Sequence, residues 1–165
     1  GVDIVHNNAG IVSGDPPWPH TPVERALDVV VINLGGVVIG TRVACDYLRS
    51  RGGGAIVNTS SIAARVPFPD DAVYAATKAG VAWFTESCAA LRERENIRVN
   101  AVLPGMVDTP IINKTGDGTR PAQWLSNVMQ LAPMIKPEEI AGTVLALVRD
   151  DRVAGECRMV LGGDT

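Results

Sequence analysis

The chain is short of cysteine, lysine and aromatic residues, and each shortage narrows what it can be. Its 165 residues hold three cysteines, Cys45, Cys88 and Cys157, far apart and without a CxxC pair. An odd, scattered set builds neither a disulfide framework nor a zinc site, and it fits a reducing, cytoplasmic compartment. Lysine occurs three times, Phe, Tyr and Trp together make up 4% of the chain, and the net charge is −3. No basic run interleaves with aromatic residues, so nucleic acid is not an expected partner. No stretch reaches 18 uninterrupted apolar residues, so no membrane span is expected. His6 and His20 stand apart with no ligand spacing, which leaves no metal site to expect.

What is present is ordinary globular composition, 46% hydrophobic and 20% charged, in a length that suits one domain with its own core. Short apolar runs alternate with stretches of helical period. Val2–Val5 reads as a first strand, 55–59 (AIVNT) as a second, 97–103 (IRVNAVL) as a third and 158–161 as a last. Between them fall helical patterns over 23–51, 74–95, around 124–131, and 137–149. The order β-α-β-α-β-α-β, with strands apolar on both faces, predicts an α/β fold, a doubly wound parallel sheet covered by helices. A chain that opens at Gly1 and enters a strand at once is expected to lack sequence ahead of it.

In such sheets ligands bind beyond the carboxyl ends of the strands. Asn7-Asn8-Ala9-Gly10 follows the first strand, Ser60 and Ser61 the second, and residues 104–109 (PGMVDT) the third. Near the same edge, VYAATKAG (73–80) sets Tyr74 and Lys78 one helical turn apart on one face. The spacing alone does not separate a catalytic pair from a solvated helix face. A free phenol, with a pKa of about 10, is a poor base near neutrality, and a cation beside it would lower that value. Lys78 would supply the charge. Asn33, in NLGG, is an awkward residue in mid-helix.

Five stretches together resemble the short-chain dehydrogenase/reductase family: NNAG (7–10), NLGGVVIG (33–40), IVNTSS (56–61), YAATK (74–78) and RVNAVLPGMVDTP (98–110). The resemblance spans essentially the whole chain and implies a Rossmann-type fold with NAD or NADP as cofactor, NAD being favoured. It implies hydride transfer to or from a secondary alcohol or ketone, a small-molecule substrate. Tyr74 would be the general acid/base, Lys78 its support and a ligand of the nicotinamide ribose. Ser61, thirteen residues before Tyr74, would polarise the substrate oxygen, and Asn33 would hold a relay water. Asn8, Ala9 and Gly10 would line the adenosine side of the cofactor. Pro104, Gly105, Val107 and Thr109 would flank the nicotinamide, and residues 109–135, with the stripe Trp124, Leu125, Val128 and Met129, would form a substrate lid. Family members pair as homodimers or homotetramers through helices equivalent to 23–51 and 74–95.

The family's TGxxxGxG turn is missing, so the chain resembles the C-terminal two-thirds of a member, a partial domain over 1–165. Without the strand that would flank Val2–Val5, the isolated fragment is expected to be aggregation-prone and inactive. A non-catalytic truncated chain or binding partner is the rival reading. An epimerase or dehydratase, which can share YxxxK, fits the NNAG and NLGG stretches poorly. The ending VAGECRMVLGGDT (153–165) departs from that of fatty-acid-type reductases and resembles oxidising members instead.

Overall fold

In the computed structural model, which describes residues 1–129 and 133–162, four parallel strands lie in the order β1-β2-β3-β4. They are β1 (Ile4–Asn7), β2 (Gly54–Thr59), β3 (Ile97–Pro104) and β4 (Cys157–Val160). Parallel neighbours cannot be joined by hairpins, so every connection crosses a face of the sheet. The register aligns Val5 with Ile56 and Ile56 with Val99. β2 and β3 are central and almost wholly buried, which is why their sequences run apolar rather than alternating.

Side chains alternate across each strand. Ile56, Ile97 and Val99 pack on one face against Ala44, Cys45 and Leu48 of α2 (Gly36–Arg49). Arg98 points to the opposite face, where α6 (Pro137–Arg149) lies. Helices on both faces make this the expected doubly wound, Rossmann-like sheet.

The details differ in four places. β1 starts at Ile4 rather than Val2; it is the bare edge strand expected, with Ile4 54% exposed. An apolar run does not reveal whether anything covers both its faces. The first long helix is α1 (Val23–Val30), a π turn at Val31–Gly35 and then α2. The second is α3 (Ala72–Ser87), a 3-10 turn at Cys88–Ala90 and α4 (Leu91–Glu95). Asn96 ends it in the left-handed region, at φ 56°, as a helix-stopping residue should. α5 covers Gln123–Met129; the expected extension to Leu131 lies outside the described residues.

Val23–Arg49 carries its charges toward its two ends, and the stretch between Asp28 and Arg42 has none, so its middle is apolar well beyond its sheet-facing side. Its mean hydropathy reaches 1.7 over 18 residues. By length and composition this helix could cross a membrane, although no uninterrupted apolar run predicts it.

Arg98 reaches the end of α6 and donates to the carbonyls of Leu147, Val148 and Asp150 at 2.8 to 3.1 Å. These are the acceptors a helix leaves unpaired at its C-terminus, and a cation there also opposes the helix dipole. Arg98→Met keeps the apolar stem and removes all three bonds. It is expected to lower stability by about 1–3 kcal/mol, read as a lower urea midpoint. An unchanged midpoint would mean that these carbonyls are equally well served by water.

Candidate active site

All four strands deliver their carboxyl ends to one edge of the sheet. Asn7-Asn8-Ala9-Gly10, Ser60-Ser61 and Pro104-Gly105 leave β1, β2 and β3 there. α3 begins beside them because Asp71 caps it, accepting the Tyr74 N–H at 3.1 Å.

Lys78 is buried, 3% exposed. Its Nζ donates to the Thr59 carbonyl at the end of β2, at 2.9 Å, and lies 5.6 Å from the Tyr74 ring centroid. Burial pulls its pKa from 10.5 down to about 8. Tyr74 moves the other way. Burial pushes its phenol up, the Ser61 hydroxyl opposes that, and the Asp71 carboxylate adds to it. The expected lowering by Lys78 is therefore corrected: desolvation dominates, and the ammonium is turned to a carbonyl of β2.

Ser60 and Ser61 separate cleanly. The Ser60 hydroxyl is spent on the Lys78 carbonyl at 2.7 Å. Ser61 faces the phenol and, among the described residues, otherwise only accepts the Ala63 N–H at 3.2 Å.

Asn33 sits in the π turn, fully buried. Such turns recur at functional positions. Its amide is matched on both ends. The oxygen accepts the Ile11 N–H at 2.8 Å, and the nitrogen donates to the Ile11 carbonyl at 2.9 Å and to Thr77 Oγ1 at 3.2 Å. The loop after Gly10 is thereby tied to both long helices. Gly10 is where backbone must pass close: a Cβ there would stand 3.3 Å from Lys78 Nζ and 3.4 Å from Asn33 Oδ1. A glycine lets the strand-end loop pack this closely on Lys78 and Asn33, which brings the ammonium to the edge where a cofactor would lie.

Of the other cofactor candidates, Asn8 is exposed, with its Oδ1 accepting from Thr59 Oγ1 at 2.8 Å, and Ala9 is exposed beside it. The hydroxyl of Thr59 also meets His6 Nε2 at 2.9 Å; burial lowers the His6 pKa. Asn7 turns inward to Asn58 and Thr41, at 2.9 and 3.2 Å, and is structural. Pro104 and Gly105 end β3, with the Gly105 N–H on Val160 at 2.8 Å. Val107 bridges to Ile135 just before α6, and Thr109 Oγ1 folds back to the Val107 carbonyl at 3.5 Å. The loop is thus braced, not loose. Among the described residues no cluster of His, Cys, Asp or Glu could hold a metal ion.

The reading of the sequence passed over Asp71, although an Asp just before an apolar helical run is a recognised start signal. It is 2% exposed and accepts from Ser13 Oγ at 2.5 Å, Ser13 N at 2.9 Å and the Tyr74 N–H. Arg25 secures the same loop through the carbonyls of Val12 and Ser13. One carboxylate therefore joins the strand-end loop to the turn that carries Tyr74. Asp71→Ala is expected to cost about 1–3 kcal/mol and to speed amide exchange at Ser13 and Tyr74 together. Exchange that quickens at one amide alone would break that link.

The profile described as short chain dehydrogenase matches residues 1–120. Cyclopentanol dehydrogenase of Comamonas testosteroni is 37% identical over 166 residues, covering 99% of this chain and 66% of that protein. The 15-hydroxyprostaglandin dehydrogenase [NAD(+)] of Mus musculus is 33% identical, covering 93% and 58%. Among solved structures, levodione reductase superposes with a TM-score of 0.85 at 30% identity, over 98% of this chain and 66% of that one. The chain thus spans about two thirds or less of the length of these relatives. A parallel sheet whose strand ends gather Ser61, Tyr74 and Lys78, matched over most of its length by that profile, belongs to the short-chain dehydrogenase family.

Proposed function

We propose that the full-length protein is a nicotinamide-dependent oxidoreductase acting on a secondary alcohol or ketone. The observation that carries this reading is the buried Lys78, fixed to the end of β2 one helical turn from Tyr74, with Gly10 packed against its ammonium. Such a buried cation beside a buried phenol is costly for folding alone and suits proton transfer.

The cofactor, NAD or NADP with NAD favoured, supplies or accepts the hydride. Tyr74 holds the proton that the substrate oxygen gains or loses. Kept neutral by burial, the phenol is ready as the acid for a ketone. Ser61 donates a second hydrogen bond to that oxygen. Lys78 places a positive charge beneath the phenol and a donor toward the ribose, while Asn33 holds Ile11 and Thr77 in place around it. Asn8, Ala9 and Gly10 line the adenosine side, and Pro104, Gly105, Val107 and Thr109 the nicotinamide side. Residues 109–129 and 133–135 are the described parts of a substrate lid; the side chain of Val128 and residues 130–132 are proposed with it only from the sequence.

We place the protein in the cytoplasm, where its three free cysteines stay reduced. The outer faces of α2 and α3 leave Ile39 65% and Trp83 70% exposed. A second copy of the chain covering them, in a homodimer or homotetramer, accounts for this better than lipid does, because the inner face of the same helix already covers a sheet. Sedimentation of the full-length protein tests it, with a monomer as the contrary result.

The activity is tested by following nicotinamide absorbance with a panel of secondary alcohols and ketones and each of the two cofactors. Turnover with one cofactor supports the reading. Cofactor binding with no turnover across the panel favours the non-catalytic alternative.

A further inference from the structure

The indole Nε1 of Trp124 is buried and meets no acceptor among the described residues. Buried donors are almost always paired, and a Trp in a folded interior normally finds a partner for its N–H. This one is not left over from a loose segment. Ala122, one turn ahead of Ser126, is buried and donates its N–H to Thr115 Oγ1 at 3.1 Å, and Leu125 is buried beside it. The position of the indole is set by what surrounds it.

What surrounds it leads to Tyr74. The Trp124 ring meets Phe68 edge-on, at 5.3 Å between centroids and an angle of 77°. Phe68 in turn tilts against the Tyr74 ring at 6.3 Å. Three aromatic rings from three segments meet in turn, one bearing the Tyr74 phenol and another the unpaired indole N–H. Apolar walls favour an apolar body, and a desolvated donor favours one acceptor placed to meet it.

We propose that the Trp124 indole N–H is a specificity donor for a second oxygen on the substrate, remote from the reacting carbon. The substrate class is then a secondary alcohol or ketone with a compact apolar body and an oxygen acceptor on its far side. The reacting half of this statement rests on the dehydrogenase reading; the donor half stands on the orphaned indole. A site built around a hydrogen bond discriminates strongly against the analogue that cannot make it, because the buried group is then left unpaired.

The test uses the full-length protein with its tryptophans labelled at the indole nitrogen. The three Trp residues of this chain each give an indole signal, and Trp124→Phe identifies the one that disappears. The probes are 4-hydroxycyclohexanone against cyclohexanol, and a hydroxy-ketone of the decalin series against decalol. A saturable downfield shift of the Trp124 signal with an oxygen-bearing probe, and none with its partner, supports the proposal. A signal that moves with neither overturns it, whether or not any probe is turned over. In kinetics, kcat/KM should favour the oxygen-bearing probe by at least about tenfold in the wild type. That preference should collapse toward one in Trp124→Phe, and a preference that survives the substitution also overturns the proposal. If no probe is oxidised at all, the dehydrogenase reading fails while the indole titration still decides the donor.

Discussion

Tyr74→Phe is expected to lower turnover by about 10²–10⁴-fold, the usual worth of a positioned proton donor, with little change in stability. The substitution removes one oxygen and keeps the ring that packs against Phe68 at 6.3 Å. Nothing else in the described structure leans on that oxygen except Ser61, whose hydroxyl keeps its bond from the Ala63 N–H. Loss of activity could therefore not be charged to a damaged fold. The direction of the pKa also matters. Burial raises the phenol, so the proton is in place across the whole neutral range and ketone reduction needs no prior ionisation. Single-turnover measurement with reduced cofactor and a ketone isolates that step, and a matching urea midpoint checks the fold. A Phe variant that reduces the ketone at the wild-type rate would remove Tyr74 from the proton transfer.

The parts of this arrangement that were legible in the sequence share one cause. β2 and β3 lie inside the sheet, so burial on both faces forces continuous apolar runs, and their ends are marked by small and polar residues. Tyr74, Lys78 and Ser61 could be placed at that edge because helix and strand periods are regular. The regularity fails at Asn33, where a π turn inserts into the helix; a 3.6-residue period has no means of registering it. The same holds for the break at Cys88–Ala90, which follows from local packing rather than from a Gly or Pro. The edge position of β1 was legible from the missing flanking strand, but its bare face was not, since Ile4 and His6 look the same to a sequence whether covered or bare. The sign of the Tyr74 shift was misjudged for a related reason. Spacing gives the neighbour, Lys78, but not the desolvation that outweighs it, nor the Thr59 carbonyl that draws the ammonium away.

Lys78→Met is expected to abolish most turnover, by at least about 10²-fold, through loss of the charge beneath the phenol. Its effect on stability should depend on pH in one direction. Lys78 has a pKa of about 8 in the fold against 10.5 ordinarily. Below 8 it is charged in both the folded and unfolded chain, and the folded state carries the full cost of a buried ammonium. Between 8 and 10.5 the unfolded chain holds the proton more tightly, so raising the pH stabilises the fold, and above 10.5 the cost is gone. Tyr74, raised above 10, and the raised thiols of Cys45, Cys88 and Cys157 act with the opposite sign as they ionise in the unfolded chain. They are common to both proteins and cancel in the difference. The methionine also leaves the Thr59 carbonyl without its donor, a fixed penalty of about 1–3 kcal/mol that does not vary with pH. From about pH 7.5 to about pH 10 the wild type should therefore gain roughly 2 kcal/mol on the variant, measured as the difference between their urea unfolding free energies. A gap that stays level over that range would mean that Lys78 keeps its ordinary pKa and reaches water in the folded protein. It would then lack the buried charge on which the catalytic reading of this site depends.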